Sequence, residues 1–368
     1  MFYDRELKAL KRANRYRKRA LFDENLKDFA SNDYLGLSSN KKVFKKACKR
    51  VLSYKNHSPK ASQLVNGYHP IHKKFEKYIA DLNGFDKAIC IGSGFLANLS
   101  LFEALPRRGD LLLFDEEFHA SGLITRGLSS AKTDTFSHND AQELEKKIDD
   151  FKKVSNGRVI IAVEGIYSMS GDILKKEIFE IADRYNAILV VDEAHSVGVV
   201  GKHLLGVFEY FGIKPRKNHI KMGTLGKAIG SYGAYILCSK EIKNYLLNRA
   251  KAIIYTTAPS VFDTALSYEN LKYMVKNRKK LKREIEKRQD AVKKLFSKNI
   301  KGLIVPLEVE SSEKVLKIKE KLLKRGYIVG AIRPPTVKKP ILRVILRVGE
   351  KGYKRVLKNI KKEINHEL

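Results

Sequence analysis

The stretch Ala187-Ile188-Leu189-Val190-Val191-Asp192-Glu193-Ala194-His195 runs five apolar residues directly into two carboxylates and a histidine. An unalternating, β-branched run this short reads as a strand buried on both faces, and the polar cluster at its carboxyl end reads as a ligand-binding edge. Working outward, comparable runs occur at 88–91, 111–114, 159–163, 219–222 and 234–238, with helical stretches at 96–104, 141–151 and 176–185 between them. Strand and helix in alternation predict an α/β fold whose large domain is built on a mainly parallel sheet. Beyond Pro259 the pattern changes to a long basic helix, a strand at 303–309, a helix at 313–325, strands at 328–332 and 342–348, and a last helix at 353–364. That reads as a smaller α+β C-terminal domain. The expected division is an N-terminal helix (about 3–20) and segment over 1–45, a large domain over 46–262 and a small domain over 263–368.

The 368 residues are 43% hydrophobic and 31% charged, enough apolar material for a core and too much for a disordered chain. No apolar run approaches the roughly 18 residues that span a bilayer, and no apolar stretch follows the first charges, so neither a membrane span nor a secretory signal is expected. Cys48, Cys90 and Cys238 are odd in number and far apart, which argues against a disulfide framework or a metal knuckle. A cytoplasmic protein without a metal site is expected. The net charge of +32 raises nucleic-acid binding as an alternative. The basic residues, however, are spread over amphipathic segments at 8–19, 272–298 and 351–362, and the 17 Tyr and 17 Phe are scattered rather than interleaved with them. Solvated helix faces account for that pattern better, and no nucleic-acid partner is expected.

The chemistry-bearing residues sit at strand ends. Gly92-Ser93-Gly94-Phe95 follows the first strand and opens a helix, offering free backbone N–H groups and a hydroxyl to a phosphate. Asp115-Glu116-Glu117-Phe118-His119 follows the second, Glu164-Gly165-Ile166-Tyr167-Ser168 the third, Asp192 to His195 the fourth, and Gly223-Thr224-Leu225-Gly226-Lys227-Ala228 the fifth. Lys227 is flanked by small and apolar residues, in contrast to the Lys-rich segments elsewhere, and desolvation would make its amine a usable nucleophile or base. A lysine, a carboxylate, a flat ring and a phosphate loop on one sheet edge are what pyridoxal phosphate requires.

Ser31-Asn32-Asp33-Tyr34-Leu35-Gly36-Leu37, Asp192-Glu193-Ala194-His195 and Thr224-Leu225-Gly226-Lys227-Ala228 together resemble the α-oxoamine synthases, pyridoxal-phosphate enzymes of the aspartate-aminotransferase fold, over nearly the whole chain. The resemblance implies a fold-type I pyridoxal-phosphate transferase that works as a homodimer. It implies that Lys227 holds the cofactor as a Schiff base and then removes the amino acid's Cα proton. Asp192 would pair with the pyridinium nitrogen, His195 with the phenolic oxygen, and His119 would stack on the ring. Ser93, Gly94 and Phe95 would lie beside ring and phosphate, with Thr224 as a phosphate ligand, Thr257 reaching the phosphate of the partner subunit, and Ser168 contacting the ring oxygen or acyl group. Arg343 would hold the amino-acid carboxylate, with Arg17, Asn32 and Arg333 lining the substrate side. The branch it most resembles condenses L-alanine with a pimeloyl thioester carried by coenzyme A or acyl-carrier protein. The sister branch using glycine and acetyl-CoA is the alternative.

Two stretches depart from the family's pattern: Ser168-Met169-Ser170-Gly171-Asp172, where the third residue is usually Asp, and Ile345-Leu346-Arg347-Val348-Gly349-Glu350 after Arg343. His69 and His72 form an H-x-x-H without a third ligand, so a structural or substrate-side role is expected. Gly201 to Gly206 lacks the Lys-Ser/Thr ending of a nucleotide-binding loop.

Overall fold

The computed structural model describes residues 2–13 and 15–367. Its strands, in chain order, are β1 (Lys27–Asp28), β2 (Lys87–Ile91), β3 (Leu111–Asp115), β4 (Lys132–Phe136), β5 (Val159–Glu164), β6 (Ile188–Asp192), β7 (His219–Thr224), β8 (Ala234–Cys238), β9 (Ile304–Glu308), β10 (Tyr327–Ile328), β11 (Gly330–Ile332) and β12 (Ile341–Ile345). Seven of them form one sheet in the order β2-β8-β7-β6-β5-β3-β4. Only β8 runs against its neighbours, pairing antiparallel with both β2 and β7. The rest is parallel, as the apolar runs predict.

Alternation of side chains explains why the runs of β3, β5 and β6 carry no polar residue before their last position. On β5, Ile161 and Val163 enter one apolar cluster while Ile160 and Ala162 enter another on the opposite face. Leu189 and Val191 of β6 divide from Val190 in the same way. Both faces are covered, so a polar side chain inside a strand needs a buried partner. On β5 and β6 the polar residues begin at Glu164 and Asp192, the last residues of their strands, whereas β7 buries His219 against Asp183 and Lys221 against Asn83 and Glu193.

β9, β11 and β12 form a separate antiparallel sheet in the order β11-β12-β9, backed by helices Ser312–Lys324 and Tyr353–Glu367. The N-terminal segment belongs to this part of the molecule: β1 pairs in parallel with β10, Ile345 N donates to Phe29 O, and Val348 N donates to Tyr34 O. The 36-residue helix Val261–Phe296 runs continuously across the expected division at 262–263.

Three elements differ from expectation. The first helix ends at Arg12 rather than near residue 20 and buries nothing. Arg15, Arg17, Lys18 and Arg19 crowd like charges at helical spacing without a packing face to offset them. The single strand expected at 328–332 is two, because Tyr327 and Ile328 pair with β1 while Gly330 to Ile332 pair with β12. Finally β4 is an edge strand of Lys, Thr and Asp that shows no apolar run, and it was not anticipated.

Candidate active site

Lys227 projects from the turn after β7, half-buried, with Nζ 2.8 Å from His195 Nε2. Burial lowers its amine from the usual 10.5 to about 8, against the upward pull of the Asp192 and Glu164 carboxylates. Burial thus desolvates the amine, while two carboxylates invisible in the local sequence temper the effect.

Those carboxylates are neighbours in register, Glu164 opposite Asp192 on adjacent strands. Asp192 is buried; its Oδ1 accepts from Ala194 N at 2.9 Å and its Oδ2 from Asn98 Nδ2 at 3.0 Å. Asn98 lies on the helix Gly94–Ala104, and its amide also donates to Ser121 Oγ at 2.9 Å. Ser121 in turn holds His119: its N–H donates to His119 Nδ1 at 3.2 Å and its hydroxyl lies 2.7 Å from the same nitrogen. The imidazole of His119 is lowered by burial, opposed by Asp192 and reinforced by Lys227. One network thus sets the carboxylate, the ring and their separation.

A second network reaches the small domain. His195 Nδ1 lies 2.5 Å from Tyr34 Oη, and both residues are buried. Tyr34 Oη is 3.3 Å from Asn32 Oδ1, which accepts from both terminal nitrogens of Arg343 at 3.2 and 3.3 Å. Arg343 Nε donates to Ser168 O at 2.8 Å. Among the described residues no carboxylate lies within ion-pair distance of this buried guanidinium. A buried cation left without an anion is suited to a substrate carboxylate. Burial, then Lys227, Arg343 and His119, push the His195 imidazole well below its usual range, so it stays neutral.

At the other end, Ser93 caps the helix Gly94–Ala104 by accepting from Leu96 N at 3.2 Å. A side chain at Gly94 would come within 3.8 Å of the Thr224 Cβ, so the helix start and Thr224 form one cradle. Phe95 beside it is half exposed. The helix N-terminus and Thr224 are arranged as a phosphate site requires.

Not every expected residue converges. Arg17 is exposed and makes no hydrogen bond or ion pair with any described residue. Arg333 is half-buried just beyond β11. Thr257, expected to serve the partner subunit's site rather than this one, is exposed and bridged to Ser62. His69 and His72 are structural, as expected: His69 Nδ1 accepts from Ile71 N to cap the helix Pro70–Asn83, and His72 Nε2 bonds Pro259 O at 2.8 Å.

Three residues of the site carried no assignment in the sequence: Tyr34, Asn98 and Glu164. Asn98 was detectable as a polar residue inside an apolar helix, and Glu164 as the first charge after an apolar run. Tyr34 stood in a quoted motif with nothing local to mark its role. Glu164 Oε1 and Asn98 Oδ1 are buried without a hydrogen-bond partner. Burial, with Asp192 beside it, pushes the Glu164 carboxyl well above the usual carboxylate range. Unpaired polar atoms around an ionisable lysine, next to an anion cradle, fit pyridoxal phosphate.

The aminotransferase class I and II family matches the chain over residues 24–360. An 8-amino-7-oxononanoate synthase of Helicobacter pylori strain 26695 is 44% identical over 345 residues, covering 94% of this chain and 92% of that one. Among solved structures, a serine palmitoyltransferase of S. paucimobilis with bound pyridoxal phosphate and myriocin superposes with a TM-score of 0.87 at 21% identity, covering 99% and 98% of the two chains. An 8-amino-7-oxononanoate synthase of Francisella tularensis gives a TM-score of 0.73 at 27% identity, over 94% of this chain and 99% of that one.

Proposed function

The chain belongs to the aminotransferase class I and II family, and we propose that it catalyses decarboxylative condensation of L-alanine with a pimeloyl thioester to 8-amino-7-oxononanoate in biotin biosynthesis. Carbon dioxide and the free thiol carrier are the other products. The observation that carries this reading is the 44% identity across 94% of the chain to an enzyme of that name. Pyridoxal phosphate is the cofactor; when bound, it supplies an electrophilic carbon and a ring that accepts electron density from the amino acid's Cα.

The residues divide the remaining work. Ser93, Gly94 and Thr224 would hold the phosphate, Asp192 the ring nitrogen, His119 one ring face and His195 the phenolic oxygen. Lys227, with its amine near pKa 8, would hold the cofactor and move the Cα proton. Arg343 would seat the alanine carboxylate through Nη1 and Nη2, in place of or beside Asn32 Oδ1. Fixing that carboxylate orients the bond to be broken.

A homodimer is part of the reading. Leu64 and Val65 are exposed on the segment that the Ser62–Thr257 bridge ties to the exposed Tyr255, and Phe95, Ile124 and Leu128 are exposed on or beside the helix that carries Asn98. So many exposed large apolar groups around one site support that reading. No helix among the described residues is long and apolar enough to cross a membrane. The test is a panel crossing alanine, glycine and serine with short and long acyl thioesters. Preference for alanine with pimeloyl supports the reading, and preference for glycine with acetyl-CoA replaces it with the sister reaction.

A further inference from the structure

We infer that Tyr34 is a positioning residue that fixes the tautomer of His195 and, through it, biases Lys227 toward the free amine. The argument starts from proton counting. His195 is buried and neutral, so exactly one ring nitrogen carries a proton. Nδ1 faces Tyr34 Oη at 2.5 Å and Nε2 faces Lys227 Nζ at 2.8 Å. Which nitrogen is protonated depends on which way the phenol proton points.

Two groups lie within hydrogen-bond distance of the Tyr34 oxygen: His195 Nδ1 at 2.5 Å and Asn32 Oδ1 at 3.3 Å. Burial keeps the phenol protonated. Asn32 Oδ1 already accepts from two nitrogens of Arg343 and is the more distant acceptor. The phenol proton therefore goes to His195 Nδ1, which leaves the imidazole proton on Nε2, aimed at Lys227.

An N–H aimed at an amine has a consequence. A free amine accepts it, whereas an ammonium would oppose it donor to donor. The other charged or titratable groups facing Lys227 are Asp192, Glu164, Arg343 and His119; the two carboxylates favour the ammonium. The tautomer set by Tyr34 works against them. The free amine is the form that attacks a carbonyl carbon and accepts a proton. The same orientation leaves a donor available for a phenolic oxygen placed beside Nε2.

The inference rests on Lys227 being the amine that takes the cofactor, and its test is separable from that reading. Protein freed of cofactor and labelled with 15N-histidine is examined by NMR, with the His195 signals assigned by their loss in His195→Gln. An unprotonated Nδ1 and a protonated Nε2 are expected; the reverse assignment overturns the inference, and this measurement requires no Tyr34 variant to fold. The rate of Lys227 acylation against pH, read by mass spectrometry, gives the second test. Tyr34→Phe keeps the ring's packing and removes the proton, so the midpoint should move up by about one pH unit. An unchanged midpoint shows that Tyr34 only fills space. Borohydride fixation of the cofactor on some other lysine would sink the reading of the site while leaving the tautomer result intact.

Discussion

At the scale of single residues, the site separates holding from chemistry. Lys227→Ala should abolish turnover and covalent attachment of the cofactor while the fold survives, because Gly226 and Ala228 already show that small side chains fit the turn. Borohydride reduction of the native protein should fix the cofactor on a peptide containing Lys227, and a label elsewhere would refute the assignment. Asp192→Asn should retain cofactor and lose on the order of 100-fold or more in turnover. The amide keeps one oxygen, which can accept from Ala194 or from Asn98 but not from both, and it has no charge to keep a ring nitrogen protonated. Near-native turnover in that variant, measured beside cofactor content, would remove Asp192 from its role.

At the scale of elements, two clasps hold the site's loops. Arg347, in the stretch that departs from the family pattern, bonds Asp28 Oδ2 at 3.0 Å and Asp33 Oδ2 at 2.9 Å. Asp28 precedes Asn32 and Asp33 sits between Asn32 and Tyr34, so Arg347 ties that segment to the strand bearing Arg343. Arg347→Met should raise KM for alanine by about 10-fold while changing kcat less, since the substrate anchor is displaced before the chemistry is touched. An unaltered KM in steady-state kinetics would argue against the clasp. His138 is the second. It lies 3.1 Å from Asp115 and 3.5 Å from Asp172, with its ring edge-on to Tyr167 at a centroid distance of 4.3 Å. Burial opposes its charge, yet Asp115 and Asp172 raise it to about 10. A raised folded pKa contributes stability that is complete below the unfolded value of ~6.5 and is lost as pH climbs through about 10. The melting-temperature difference between wild type and His138→Gln should therefore narrow across that window; a constant gap would refute the link.

At the scale of the whole molecule, the charge of +32 has a use if the second substrate is long and anionic. A basic surface steers such a partner, and the effect is screened over ~8 Å at physiological salt. Raising salt should therefore lower kcat/KM for the acyl thioester while kcat stays nearly flat and the alanine parameters barely move. Charge reversal at Arg15, Arg17, Lys18 and Arg19, all exposed, should weaken that kcat/KM more than reversals on the helix Tyr353–Glu367. Equal effects, or none, would return the charge to a solvated surface without a function.

Local pattern alone determined the class of fold, the positions of most strands and the polar residues at their carboxyl ends, the candidate Lys227 among them. These are readable because burial on both sheet faces makes an unpartnered polar residue inside a strand costly, so on β3, β5 and β6 the first ones mark where the core ends. The boundaries that local pattern got wrong lie where that rule does not apply: an edge strand open to solvent, a charged helix without a packing face, and a strand shared between two sheets. Tertiary structure decided which residues meet. Tyr34 reaches His195 across 161 positions, and Arg343 reaches Asn32 across 311. No periodicity encodes such pairs, because they depend on strand order and on the N-terminal segment being stitched to β10 and β12, which only the packed molecule specifies.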